Sequence, residues 1–123
     1  MFYVDLTRQI ASILRAQGLG DVGKISIRGI CDIPLFGIGG LYVGIIGPIR
    51  IRDNVDDVFE QIKKGIIESK KKRGCFPGKI LLQGGGNLPI PEWFKDWCKE
   101  NNIVLQILDA ESILERKNID FEY

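Results

Sequence analysis

Residues 33–49 read IPLFGIGGLYVGIIGPI, seventeen positions without a charge. Such a stretch must be buried, in a protein core or in a bilayer. Its length is at the lower limit for a membrane-spanning helix, which needs about 17–25 residues. Five glycines, and Pro34 and Pro48 near its ends, argue against a helix of any kind, because these are the poorest helix formers. Gly37, Gly39 and Gly40 instead read as a turn between two buried strands. The second strand, around 41–46, is apolar on both faces and belongs in the middle of a sheet.

The rest of the chain supplies the elements that cover such a sheet. Residues 5–17 carry Leu6, Ile10, Ile13 and Leu14 at helical spacing, with Asp5 as N-cap and Gly18 as stop. A loop over 18–23 leads to a strand over 24–31, in which Ile25 and Ile27 alternate with Ser26 and Arg28. Ile49, Arg50, Ile51 and Arg52 alternate again and extend the third strand beyond Gly47 and Pro48. A long helix over 54–72 follows, with the stripe Val55, Val58, Phe59, Ile62, Ile66 and Ile67. Its early acids and late bases suit the macrodipole. KILLQ at 79–83 is a short buried strand. A helix over 91–101 buries Trp93, Phe94, Trp97 and Cys98, with Pro91 in its first turn. IVLQIL at 103–108 is another strand. Asp109 caps a last helix over 110–117, and the tail 118–123 frays.

The order α-β-β-β-α-β-α-β-α implies one α/β domain over 1–123, a mixed sheet of about five strands flanked by helices. The size, 123 residues and 13.8 kDa, fits one domain. No repeat or linker interrupts it.

Composition removes several function classes. Histidine is absent, so a Ser-His-Asp triad, a Cys-His pair and any imidazole zinc site are excluded. Seventeen basic and sixteen acidic residues give a net charge of +1, which supplies no global drive toward nucleic acid or membrane. Cys31, Cys75 and Cys98 are odd in number and widely spaced, the pattern of reduced thiols in a cytoplasmic protein. Cys75 follows Lys70, Lys71, Lys72 and Arg73, a setting that lowers a thiol pKa. The first twenty residues carry Asp5 and two arginines inside their apolar pattern, unlike a signal peptide. No cofactor and no membrane partner are expected.

A helix, a three-strand meander, a long crossover helix and a parallel strand resemble the restriction-endonuclease-like core, the PD-(D/E)XK superfamily. KILLQGGGNLPIPEWFKDWCKENNIVLQILDAESILE looks like the last β-α-β-α portion of its Mrr-type members. The resemblance implies a metal-dependent nuclease scaffold, with an Asp near the start of the second strand and an E-x-K on the third that hold a divalent ion and orient water. Here the third-strand region reads LYVGIIGPIRIR, without Glu, Asp or Lys. Asp32 stands near the family's Asp position, alone. One carboxylate makes a poor magnesium site. The resemblance, carried residue by residue, therefore implies the scaffold without its catalytic motif.

Three functional readings remain open. The first is a non-catalytic binding or assembly module that contacts nucleic acid, a protein partner or its own copies. Its cations are Arg28, Arg50 and Arg52 on strands and Lys70, Lys71, Lys72 and Arg73 at a helix end, although a helix end also attracts such charges for its own dipole. The second is a phosphorylated ligand or nucleotide held by Gly84, Gly85, Gly86 and Asn87. A glycine loop between a strand and a helix offers backbone amides to phosphate, but the spacing is neither G-x-G-x-x-G nor a P-loop. The third is a degenerate metal nuclease built on Asp32. Trp93 and Trp97 are expected to pack against the sheet rather than to stack on bases. Should either strand of the 33–49 block lie at a sheet edge, it would invite oligomerisation.

Overall fold

The uncharged block folds as two paired strands. The computed structural model describes residues 5–27, 31–49, 54–84 and 89–115. The elements run α1 (Thr7–Ala16), β1 (Gly20–Ile27), β2 (Cys31–Ile38), β3 (Leu41–Ile46), α2 (Val55–Arg73), β4 (Lys79–Gln83), α3 (Glu92–Glu100), β5 (Val104–Leu108) and α4 (Ala110–Glu115). Gly39 and Gly40 link β2 to β3 with φ of 60° and 88°. A type I′ two-residue hairpin needs positive φ at both central positions, which glycine adopts without steric cost. Among the described residues no helix is long and apolar enough to cross a membrane.

The sheet order is β1-β2-β3-β4-β5. β2 pairs antiparallel with β1 and β3, whereas β3, β4 and β5 are parallel. Four strands thus end at one rim of the sheet, where β2 begins. α2 and α3 each return from that rim to the start of the next parallel strand.

Alternation divides the side chains between two cores. On one face Ile25, Ile33, Leu35 and Ile80 meet Phe59, Ile62 and Ile66 of α2 and Phe94 of α3. On the other Phe36, Val43, Ile45 and Leu81 meet Ile10 and Leu14 of α1 and Ile113 of α4. Each such side chain, fully buried, stabilises the fold by about 1.5–3 kcal/mol. Gly65 brings α2 close to β1: a Cβ there would lie 3.1 Å from Ile27 Cγ1 and 3.2 Å from Ile25 Cγ2. α2 itself is capped at both ends. Asn54 Oδ1 accepts from the Asp57 amide at 3.3 Å, and Gly74 closes the helix in the left-handed conformation.

Several boundaries differ from the sequence pattern. β1 begins at Gly20 instead of 24, through a bulge between Asp21 and Gly23. Its first residues are all exposed, so no apolar alternation marks them; pairing with β2 makes them a strand. α1 begins at Thr7, and Asp5 accepts from the Thr7 amide at 3.0 Å one position before the cap. Pro91 occupies the N-cap of α3 rather than its first turn. Residues 47–49 leave the sheet, so the alternation at Ile49 does not prolong β3 directly. Trp93 and Trp97 are half-buried, packed at the margin of the core that Phe94 and Cys98 enter fully. Positions 28, 50–52 and 85–87, with the tail 118–123, lie outside the described residues.

Candidate functional site

The rim where the parallel strands end gathers Asp32, Gln83 and Gly84 with the start of α1. This is the end of an α/β sheet at which ligands most often bind. Gln83 is the last residue of β4, and its side chain points to the α1 face, 2 % exposed. Its Oε1 accepts from the Leu6 amide at 2.6 Å. Its Nε2 donates to Thr7 Oγ1 at 2.8 Å and to Asp5 Oδ1 at 3.3 Å. The Thr7 hydroxyl also donates to Asp5 Oδ1. Those donors hold the Asp5 carboxyl below its ordinary range: the Thr7 hydroxyl contributes most, partial burial opposes it, and the Thr7 amide and Gln83 add to the lowering. The group is saturated internally. It fastens the first turn of α1 to the sheet and has no buried polar atom left over for a ligand.

Asp32 lies at the start of β2, opposite Ser26 of β1. Its carboxylate is exposed and takes an ion pair from Lys24 Nζ at 3.2 Å. Among the described residues no group of three or more Cys, Asp or Glu side chains is placed to hold a metal ion. β3, where the resemblance would put E-x-K, reads LYVGII. The Gly84 amide donates to Leu108 O at 3.0 Å, continuing the β4–β5 ladder. Gly85, Gly86, Asn87, Arg28, Arg50 and Arg52 fall outside the described residues.

The basic run sits at the opposite end of the sheet. α2 ends there, and Arg73 Nη1 donates to Val22 O of β1 at 3.1 Å while its guanidinium lies 5.6 Å from the Tyr42 ring. Lys70 Nζ is 4.4 Å from the Phe76 ring centre. Lys71 and Lys72 are exposed. Asp32 and Gly84 therefore share one rim, and the Lys70, Lys71, Lys72 and Arg73 cluster is separated from them by the length of α2. Cys75, half-buried beside this cluster, donates its thiol to Gly40 O at 3.7 Å.

Two features are not signalled by the sequence pattern. One is Gln83, whose only local mark is a polar residue closing an otherwise apolar strand. The other is a lysine–aromatic row between α2 and α3. Lys63 Nζ lies 5.8 Å from the Trp93 ring and 5.6 Å from the Trp97 ring. Trp97 meets Phe76 edge-on at 5.7 Å. Trp93 Nε1 donates to Asp56 at 3.0 Å. Helical spacing marks these aromatics as one stripe; only the packing shows that cations from another helix cover them. Compared with protein-family models, curated proteins and solved structures, the chain matches none.

Proposed function

We propose that the chain is a non-catalytic binding module on a restriction-endonuclease-like scaffold, and that it contacts nucleic-acid phosphates through the cationic flank of α2. The observation that carries this reading is the lysine set on that helix. Lys64, Lys70, Lys71 and Lys72 are exposed, and among the described residues none of them forms an ion pair. Exposed lysines without an acidic partner among the described residues are what phosphate contacts require. On the same helix Lys63 lies over the half-buried Trp93 and Trp97 and Lys70 over the half-buried Phe76, rings that offer apolar surface to bases.

The scaffold part rests on the element order: a helix, a three-strand meander, a crossover helix and a parallel strand. The non-catalytic part rests on Asp32, whose exposed carboxylate is committed to Lys24 and lacks a neighbouring E-x-K.

Fluorescence anisotropy with short labelled DNA and RNA duplexes tests the reading. Binding is expected to weaken with salt, with a log–log slope of about −0.9 for each B-DNA phosphate neutralised. The combined variant Lys64→Ala, Lys71→Ala, Lys72→Ala flattens that slope by about 3 and weakens binding without regard to sequence. Duplexes that stay free at low salt, or binding indifferent to the triple variant, overturn it. Magnesium- or manganese-dependent cleavage that Asp32→Ala abolishes would establish the nuclease reading instead.

A further inference from the structure

α2 and α3 meet on one face of the sheet, where the Phe59 and Phe94 ring centres are 4.8 Å apart. Trp93, Trp97 and Phe76 continue that contact outward and are half-buried. Helical spacing puts positions 56, 60, 63, 67 and 70 along the α2 wall of this seam. The first half of the wall is acidic, with Asp56 and Glu60. The second half carries Lys63 and Lys70, and Lys64 and Lys71 follow them one residue on. At the acidic end Asp56 accepts the Trp93 indole N–H at 3.0 Å. At the basic end Lys63 Nζ lies 5.6 Å from the Trp97 ring and Lys70 Nζ 4.4 Å from the Phe76 ring. Trp97 and Phe76 stand edge to face at 5.7 Å.

We infer that this basic end takes single-stranded nucleic acid in preference to a duplex, with unpaired bases stacked on Trp97 and Phe76 and phosphates on Lys63, Lys64, Lys70 and Lys71. The inference rests on the nucleic-acid reading above and narrows its substrate class. Each of the two rings has an ammonium within 5.6 Å, so a base laid on the ring leaves its phosphate within reach of a lysine. An ammonium on a flexible four-carbon stem exchanges a ring for a phosphate without moving the helix. α3 carries Glu92, Asp96 and Glu100 four residues apart and exposed. Phosphates therefore keep to the α2 side, and bases turn toward α3. In a duplex the base faces are already stacked on one another, so the rings gain nothing and only the lysines make contact.

Tryptophan emission reads the contact directly, because a base stacked on Trp97 quenches it. The intact chain is titrated at one salt concentration with an oligothymidylate of about 12 nucleotides, an abasic strand of that length and a duplex of that length. Quenching is expected with the oligothymidylate alone, at an affinity at least about tenfold above the other two. Trp97→Leu abolishes the quenching. Trp97→Leu and Phe76→Leu each weaken the single-strand complex about tenfold and leave the duplex complex within about twofold. Trp93→Phe keeps both quenching and affinity. Thermal unfolding shows that each variant is folded, and Phe76→Leu decides the matter should Trp97→Leu fail to fold.

Equal affinity for the three ligands overturns the inference, and so does single-strand binding indifferent to both ring variants. In either case lysine-dependent duplex binding leaves the broader reading standing. Poly-glutamate that displaces the strand at equal charge assigns the lysines to an acidic protein and overturns the inference as well. A protein that binds none of the three ligands removes both readings.

Discussion

Replacing Gln83 with leucine isolates the link between α1 and the sheet. Leucine is close to glutamine in volume, so the packing around β4 is largely kept while three hydrogen bonds are lost. The Leu6 amide, in a residue only 4 % exposed, loses its acceptor at 2.6 Å. An unsatisfied buried N–H costs about 1–3 kcal/mol. The bonds to Thr7 and Asp5 are partly solvated and add about 0.5 kcal/mol each, the low end of the usual range. The sum is about 3 kcal/mol.

In urea unfolding, with m of about 2 kcal/mol/M, the midpoint should fall by about 1.5 M at unchanged m. At about 4 °C per kcal/mol the melting temperature should fall by about 12 °C. Gln83→Glu separates shape from donor. Its ionised carboxylate would face Asp5, so its pKa would rise and its stability would recover as pH falls and the proton restores a donor. A Gln83→Leu protein within about 0.5 kcal/mol of wild type would refute the argument, because surface-like values of that size belong to side chains that hold nothing.

Two further predictions concern titration. The Asp5 carboxyl is held below its ordinary 3.8 in the folded protein, so it contributes stability above that pH and loses it as pH falls through the lowered value; Asp5→Asn should give a shallower acid limb in a pH series of urea midpoints. Burial pushes the Cys98 thiol up to about 12 from 9.0, so the fold loses stability as pH rises from 9 toward 12, and Cys98→Ala flattens that alkaline limb. At about pH 8, native alkylation followed by peptide mass spectrometry should label the half-buried Cys75 and spare Cys98.

The hairpin at Gly39 and Gly40, the helix from Val55, and the strand Lys79–Gln83 were legible because turn chemistry, periodicity and capping act over a few residues. Asn54 and Gly74 end α2 where a local reading puts them. The start of β1 was not legible, since exposed residues become a strand only by pairing with β2. The candidate site was less legible still. Gln83 meets Leu6, 77 positions away, and Arg73 meets Val22, 51 positions away. No spacing rule spans such separations.

The strands LYVGII and VLQIL show the division most clearly. Both are short, apolar and uncharged. By itself the sequence determined that each is a strand, that the 33–49 block is buried, and that helices cover a mixed sheet. Only the tertiary structure decided that the first lies inside the sheet and the second at its edge. β2 and β3 of the 33–49 block therefore offer no edge for oligomerisation. Side-chain pattern reports how apolar a strand is, whereas its neighbours are set by chain connection and by which faces the helices cover. Those are properties of the whole chain, and no segment carries them alone.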